Sequence, residues 1–425
     1  MATVALFGIF IGLFLINVPV ALSLCISSAI ILAVTTDFSL YMIAQRMFSA
    51  LDSNTLMAIP GFVFAGVIMA EGGISKYLIN CLRCWVGHFR GGLSVVTILA
   101  CMLFAAISGS SPATAAAIGG ILIPAMVRGG YDKKYAMGLV AASGTLGILI
   151  PPSISFVLIG VTAEQSIGKL FTAGILPGIL LGGCLIIVAV IYARKYNYGG
   201  EAKATWKERW TSTISAIPGI LMPIIILGSI YGGITTPTES SIIACFYSLF
   251  VAKFIYRELS FQKFRLILRE TIGTSAMIFL IIPAAMTFGL YLTSEQVPQK
   301  VVEWTMSTNL SIAMFWIITQ SMFFVMGTFL EAVSIILITL PILIPVIDLL
   351  GIHPIHFAVV MVVNMELAMI TPPVGLNLFV VAGIAKSKLE QVVRGVLPFL
   401  IVMLIDLLIL VLLPEISLFL PGRLH

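Results

Sequence analysis

The stretch Ser108-Gly109-Ser110-Ser111-Pro112-Ala113-Thr114 packs four hydroxyls, a glycine and a proline into seven residues, inside an otherwise apolar run from Leu93 to Val127. Glycine and proline stop a helix and leave backbone carbonyls without their usual donors. At hydrocarbon depth an unpaired backbone group costs several kcal/mol, so such a break persists only inside protein or against a water-filled cavity. Carbonyls and hydroxyls are hard oxygen donors, which suit Na⁺. The stretch reads as the tip of a re-entrant hairpin that holds a cation and part of a substrate.

A second break follows. Gly144-Thr145-Leu146-Gly147 loosens the apolar run 135–163, and Pro151-Pro152-Ser153 must interrupt it, because two prolines supply no N–H and clash with the preceding turn. Both features recur. Ile121-Leu122-Ile123-Pro124 returns as Ile342-Leu343-Ile344-Pro345 and Pro151-Pro152 as Pro372-Pro373, each 221 residues on. Pro19 matches Pro237 at an offset of 218, which assigns the three extra residues to the second hairpin. The chain is a duplication. The first repeat covers 1–193, with a hairpin over 93–127 and a broken helix over 135–163. A linker covers 194–210, and the second repeat covers 211–425, with a hairpin over 308–347 and a broken helix over 357–385.

One Na⁺ site is expected between the first tip (Ser108, Gly109, Ser110, Ser111) and the first break (Gly144, Thr145, Gly147). Its mirror is expected between the second tip (Gly327, Thr328) and the second break (Ala368, Thr371). Helix N-termini aimed inward favour an anionic group. The substrate is therefore expected against Ser111, Pro112, Thr114, Pro151, Pro152, Ser153, Pro372, Pro373 and Asn377. Carboxylates inside apolar runs are costly and mark function. Glu331 and Glu366 are read as site residues, Glu239 as readily as a partner for freed backbone, and Asp406 as a contact between helices or with a partner. A single Ser or Thr in such a run commonly bonds back to its own helix; the constellation is what points to a site. His353 and His356 resemble a metal pair only in spacing, and Cys81 and Cys84 are read as small apolar residues.

The elements that must position these residues are membrane helices. The chain is 60% hydrophobic and 10% charged, with a mean hydropathy of +1.14, whereas a soluble domain carries roughly 25% charged residues. The expected fold is all-α and polytopic. Its length allows roughly ten spans at about 20 residues each, and hairpin arms of about 15 residues are too short to cross a core about 30 Å thick. Residues 4–34 split at Asn17-Val18-Pro19 into two short spans, matching 213–231 and 237–252; residues 38–53 form an interfacial helix. Further spans cover 55–75, 168–193, 271–292 and 396–413. The N-terminus lacks the basic region of a cleavable signal peptide.

Charge sets the orientation. Placing 76–90, 128–134, 194–209, 253–269 and 386–394 in the cytoplasm gathers there every one of the 23 Lys and Arg except Arg46, Lys169, Lys300 and Arg423. The two hairpins then enter from opposite faces, the repeats are inverted, and the N-terminus lies outside. No GxGD pair, HExxH helix or GxxxxGK[ST] loop occurs, which argues against an intramembrane enzyme or an ATP-driven pump.

Ser108–Gly119, Gly144–Pro152 and Ile370-Thr-Pro-Pro-Val-Gly-Leu-Asn377 together resemble the large membrane subunit of tripartite ATP-independent periplasmic (TRAP) transporters. The resemblance covers nearly the whole chain. It implies an ion-transporter-superfamily fold and an elevator mechanism driven by a Na⁺ gradient in a bacterial inner membrane. It also implies a small four-helix membrane subunit, here as a separate chain, and a periplasmic binding protein that delivers an organic acid. Family substrates include C4-dicarboxylates and sialic acid, and the likeness is read as nearest to the sialic acid systems. The alternative is a stand-alone carboxylate carrier that needs no binding protein.

Overall fold

A computed structural model describes residues 2–36 and 39–424. Residue 38 of the expected interfacial segment, and residues 1 and 425 of the expected repeats, lie outside the described residues. Among the described residues every regular element is a helix. Eight of these helices are long and apolar enough to cross a membrane.

The first hairpin pairs Gly92–Ser108 with Ser111–Arg128. Gly109 makes the turn at a φ of 60°, in the left-handed region that a side chain rarely adopts. The first broken helix starts at Lys133, where the Asp132 carboxylate accepts the backbone N–H groups of Lys134 and Tyr135 at 2.6 and 3.2 Å. It runs to Gly144, tightens into a 3₁₀ turn over Thr145–Ile148, unwinds across the proline pair and resumes as Ile154–Thr162. The second repeat copies this with a hairpin of Ile312–Gly327 and Ala332–Leu349 and a broken helix of Pro354–Ala368 and Leu376–Ile384. Both proline pairs are joined by cis bonds.

The second hairpin does not absorb the three-residue offset. Its tip, Thr328–Glu331, is two residues longer than Gly109-Ser110, but its first arm is one residue shorter, so most of the offset lies upstream. The expected linker is also shorter than 194–210. Ile167–Lys195 continues to Lys195, and Trp206–Tyr231 begins early because Thr205 and Glu208 form a reciprocal capping box. Likewise the span expected from 271 starts at Phe261, capped by Ser260. Asn17, at a φ of 70°, and Pro19 separate Ala2–Leu15 from Val20–Thr35, as expected for two short spans.

The repeats interlock. Each hairpin lies against the first half of its own broken helix and against the resumed half of the other: Ser111–Arg128 touches Leu376–Ile384, and Ala332–Leu349 touches Ile154–Thr162. Outer helices flank this body. Phe261–Ser294 packs on Val20–Thr35 and Ala58–Glu71, and Pro237–Phe250 lies along Ala58–Glu71.

The basic segments meet at one end. Arg83 Nε donates to Glu201 at 3.0 Å, Tyr131 Oη donates to the Gly199 carbonyl at 3.2 Å, and Glu258 pairs with Lys263 at 3.2 Å and with Lys76 at 4.0 Å. At the other end, burial and then the Lys169 ammonium hold the His353 imidazole below its usual pKa. Arg46 and Glu164 share one cavity there.

The first broken helix crosses Leu389–Leu412 at Gly138 and Gly395, where a Cβ on either glycine would run into the other helix's backbone. Gly138→Leu is expected to destabilise the fold by about 3 kcal/mol or more, measured as a lower melting temperature in detergent. Gly183→Ala, at a glycine with no atom within 4 Å of its built Cβ, is the matched control.

Candidate cation and substrate site

Each tip sits on the break of its own repeat. A Cβ on Gly147 would lie 2.5 Å from the Ser110 carbonyl oxygen, and one on Gly109 would lie 2.7 Å from that of Pro152. The two glycines therefore let backbone meet backbone. A Cβ on Gly144 would touch Ala115 at 2.7 Å, in the first turn of the second arm. In the second repeat the Thr328 carbonyl accepts the N–H groups of Val374 and Gly375 at 3.2 and 3.3 Å. A Cβ on Gly327 would press on the Ala368 methyl at 2.5 Å.

The two halves are joined by Asn377. Its Nδ2 donates to Ser111 Oγ at 2.7 Å and to the Ala141 carbonyl at 3.2 Å, while its Oδ1 has no partner. The side chain is fully buried. It thus ties the resumed half of the second broken helix to the first hairpin. Four helix N-termini, at Ser111, Ile154, Ala332 and Leu376, begin at these tips and breaks. Their free N–H groups and positive dipole ends favour an anion there.

The first tip is an oxygen cluster without charge. Ser108 Oγ and Thr114 Oγ1 lie 2.7 Å apart, and Thr114 Oγ1 also donates to the Ser110 carbonyl at 2.8 Å. Thr145 Oγ1 donates to the Ala142 carbonyl at 2.7 Å, and Ser153 Oγ donates to the Ile148 carbonyl at 2.5 Å. Thr328 and Thr371 bond back in the same way, to Val325 and Leu367 at 2.8 and 2.7 Å. A hydroxyl that donates to its own helix keeps lone pairs for a cation. Pro151 also offers no N–H to the Gly147 carbonyl. This donor set fits a hard monovalent cation held by Ser108, Ser110, Thr145 and Gly147, with Thr328, Ala368 and Thr371 in the second repeat.

The halves differ in access. Pro151, Pro152 and Ser153 are buried, whereas Pro372 and Pro373 are exposed, as are the neighbouring Phe329 and Phe379. Ser111 and Thr114 are fully buried, and Pro112 lies in the first turn of the helix that begins at Ser111. Glu331 stands at the N-cap position of the second hairpin's outgoing helix, where Ser110 stands in the first, and neither side chain accepts a capping N–H.

Glu366 stands close to the second break in sequence. It lies two residues before Ala368, and at about 100° per residue the two side chains leave opposite faces of the helix. Glu366 and Asp406 on the last span are both fully buried, and neither carboxylate has a hydrogen-bond partner. Glu239 serves freed backbone, accepting Thr236 N and Oγ1 at 2.7 and 2.9 Å. His353 caps a helix through Nδ1, and His356 Nδ1 meets Ser417 Oγ at 2.7 Å. Sequence reasoning missed Gly66, where a Cβ would sit 3.0 Å from Ser108 Cα as an outer helix crosses the first tip. The small residues Gly61, Ala65 and Gly66 were the available signal.

Re-entrant hairpins packed against broken helices are the architecture of secondary transporters built from inverted repeats. The chain covers 87% of its length on 88% of the Alcanivorax borkumensis YdaH transporter, described as having an unusual topology, at a TM-score of 0.60 and 13% identity, which is a likeness of fold alone. Residues 7–416 match the family described as tripartite ATP-independent periplasmic transporter, DctM component, and the chain belongs to that family. It is 43% identical, over 94% of each chain, to the C4-dicarboxylate TRAP transporter large permease DctM of Pseudomonas aeruginosa. It is 34% identical to the sialic acid large permease SiaM of Vibrio cholerae, over 98% of this chain and 97% of that one. The likeness thus leans toward the C4-dicarboxylate permease, where sequence reading leaned toward sialic acid. A third relative, the isethionate permease DctMQ of Oleidesulfovibrio alaskensis, is 40% identical over 98% of this chain, which spans 66% of its length. The chain is a multi-pass inner-membrane transporter permease and not an enzyme.

Proposed function

We propose that this chain is the large membrane subunit of a Na⁺-coupled importer of an organic acid anion, of the C4-dicarboxylate or sialic acid class, working by an elevator mechanism. The observation that carries this reading is the seating of each hairpin tip on its own proline break, with Asn377 joining the two. The relatives named for C4-dicarboxylates, isethionate and sialic acid all take acid anions, consistent with helix N-termini facing the substrate. The exposed Pro372-Pro373 face is the side on which the anion meets the site. Hairpins and broken helices form the moving body. A cavity of about 320 Å³ between Phe261–Ser294 and the hairpin residues Leu337 and Pro341 supports a boundary there that can slide.

A periplasmic binding protein delivers the substrate, and a small membrane subunit completes the scaffold. The N-terminus is periplasmic in the orientation that the distribution of basic segments favours.

The test is uptake by the three components in liposomes. Thr328→Ala is expected to raise the Na⁺ concentration for half-maximal uptake about ten-fold, the loss of one contact of about 1.4 kcal/mol; Ser108→Ala should do the same. An unchanged midpoint in both would remove the tips from the cation site. Glu366→Gln should leave the midpoint within about two-fold, because its side chain leaves the helix on the face opposite Ala368. A midpoint shifted as far as that of Thr328→Ala would return Glu366 to the second tip. Uptake by this chain without a binding protein would favour a stand-alone carrier.

A further inference from the structure

A cavity of about 510 Å³ opens at the basic end, between Lys133–Gly144, Ile167–Lys195 and Leu389–Leu412. Stacked tyrosines line it, with ring centroids 5.6 Å apart for Tyr135 and Tyr192 and 6.1 Å for Tyr196 and Tyr198. Lys134 and Arg394 stand at its rim. Its outer wall is Leu397 and Ile401, 54% and 59% exposed, and the strip continues along the same helix through the exposed Leu404 and Leu408. The cavity therefore has a cationic mouth and an apolar side open to the surrounding lipid.

The negative charges nearby do not cancel this. Asp132 also lines the cavity, but its carboxylate is committed to the two helix N–H groups it caps. Glu390 pairs with Arg394 at the helix start, and both are well exposed. Such a pair is weak, and the guanidinium has five N–H donors to share.

We propose that this cavity binds an anionic phospholipid, with the phosphate between Lys134 and Arg394 and an acyl chain along Leu397, Ile401 and Leu404. A cationic pocket between membrane helices recognises an anionic headgroup, and the open apolar strip selects a lipid over a soluble anion. Lys134 lies one turn from the Gly138–Gly395 crossing, where neither helix has a side chain to brace the other. A lipid seated there would clamp the first broken helix to the last span.

The purified, delipidated chain is incubated with equal amounts of palmitoyl-oleoyl phosphatidylglycerol and phosphatidylcholine, and retained lipid is read by native mass spectrometry. The wild type is expected to keep phosphatidylglycerol preferentially. The Lys134→Gln, Arg394→Gln double variant should keep it roughly 30-fold less, for two cationic contacts worth about 1 kcal/mol each. The charge-preserving Lys134→Arg, Arg394→Lys pair should retain it, and soluble glycerol phosphate should not displace it. Equal retention of the two lipids by the wild type would overturn the proposal without recourse to any variant, and so would displacement by glycerol phosphate. The readout needs neither Na⁺ nor substrate, so it fails or succeeds independently of the transport reading.

Discussion

Gly147→Val is expected to reduce uptake by about 100-fold or more in a chain that still folds, the scale of loss that follows a displacement of about 1 Å in a positioned site. The built Cβ lies 2.5 Å from the Ser110 carbonyl oxygen, 2.7 Å from its carbon and 2.7 Å from Thr114 Oγ1, where ordinary contact begins at 3.4 Å. Two of these are backbone atoms of the tip, so no rotamer change relieves the clash; the tip must lift off the break. The Ser110 carbonyl also accepts the Thr114 and Ser108 hydroxyls at 2.8 and 3.3 Å, so the whole oxygen cluster moves with it. Gly120→Ala is the control. It lies in the same hairpin with no atom within 4 Å of its built Cβ, and uptake should stay within about two-fold, the scale of a helix-surface Gly-to-Ala change. Thermal melting of both variants separates a displaced tip from a lost fold.

Asn377→Leu is expected to be the most damaging change outside the glycines. It leaves the Ser111 hydroxyl and the Ala141 carbonyl without their buried donor. A buried polar group stripped of its partner costs about 1–3 kcal/mol. The variant should melt several degrees lower, and uptake should fall further than stability explains, because the lost bonds join the two repeats across the site. Asn377→Asp is the informative companion. It keeps the volume but places a charge and acceptor where two donors stood, and should be no better than Leu. Uptake near the wild-type level in both would show that Asn377 packs but does not couple the halves.

The helix breaks around the candidate site were legible in the sequence because their causes are local. Two consecutive prolines force a break wherever they fall, and a glycine between hydroxyls caps a helix whatever surrounds it, so both hairpins and both broken helices stand within a few residues of their expected bounds. The duplication was legible because ILIP and the proline pair keep one spacing. What was hidden depends on partners distant in sequence. Nothing near Asn377 announces Ser111, 266 positions away, so its role in joining the repeats emerged only with the fold. Glu366 read as a site residue from its place beside the break, but helical phase turns it to the face opposite Ala368. The linker ended early because Thr205 and Glu208 cap a helix that composition had counted as polar loop. The asymmetry between buried Pro151-Pro152 and exposed Pro372-Pro373 likewise follows from packing around two identical motifs.

The most direct test of the account is the initial rate of substrate uptake as Na⁺ is varied, in liposomes holding this chain, the small subunit and the loaded binding protein, with the proton gradient collapsed. Two cation-holding tips predict uptake that vanishes without Na⁺ and rises with a Hill coefficient above one, falling toward one when Thr328 is replaced by Ala. Uptake that proceeds at full rate without Na⁺ would contradict it.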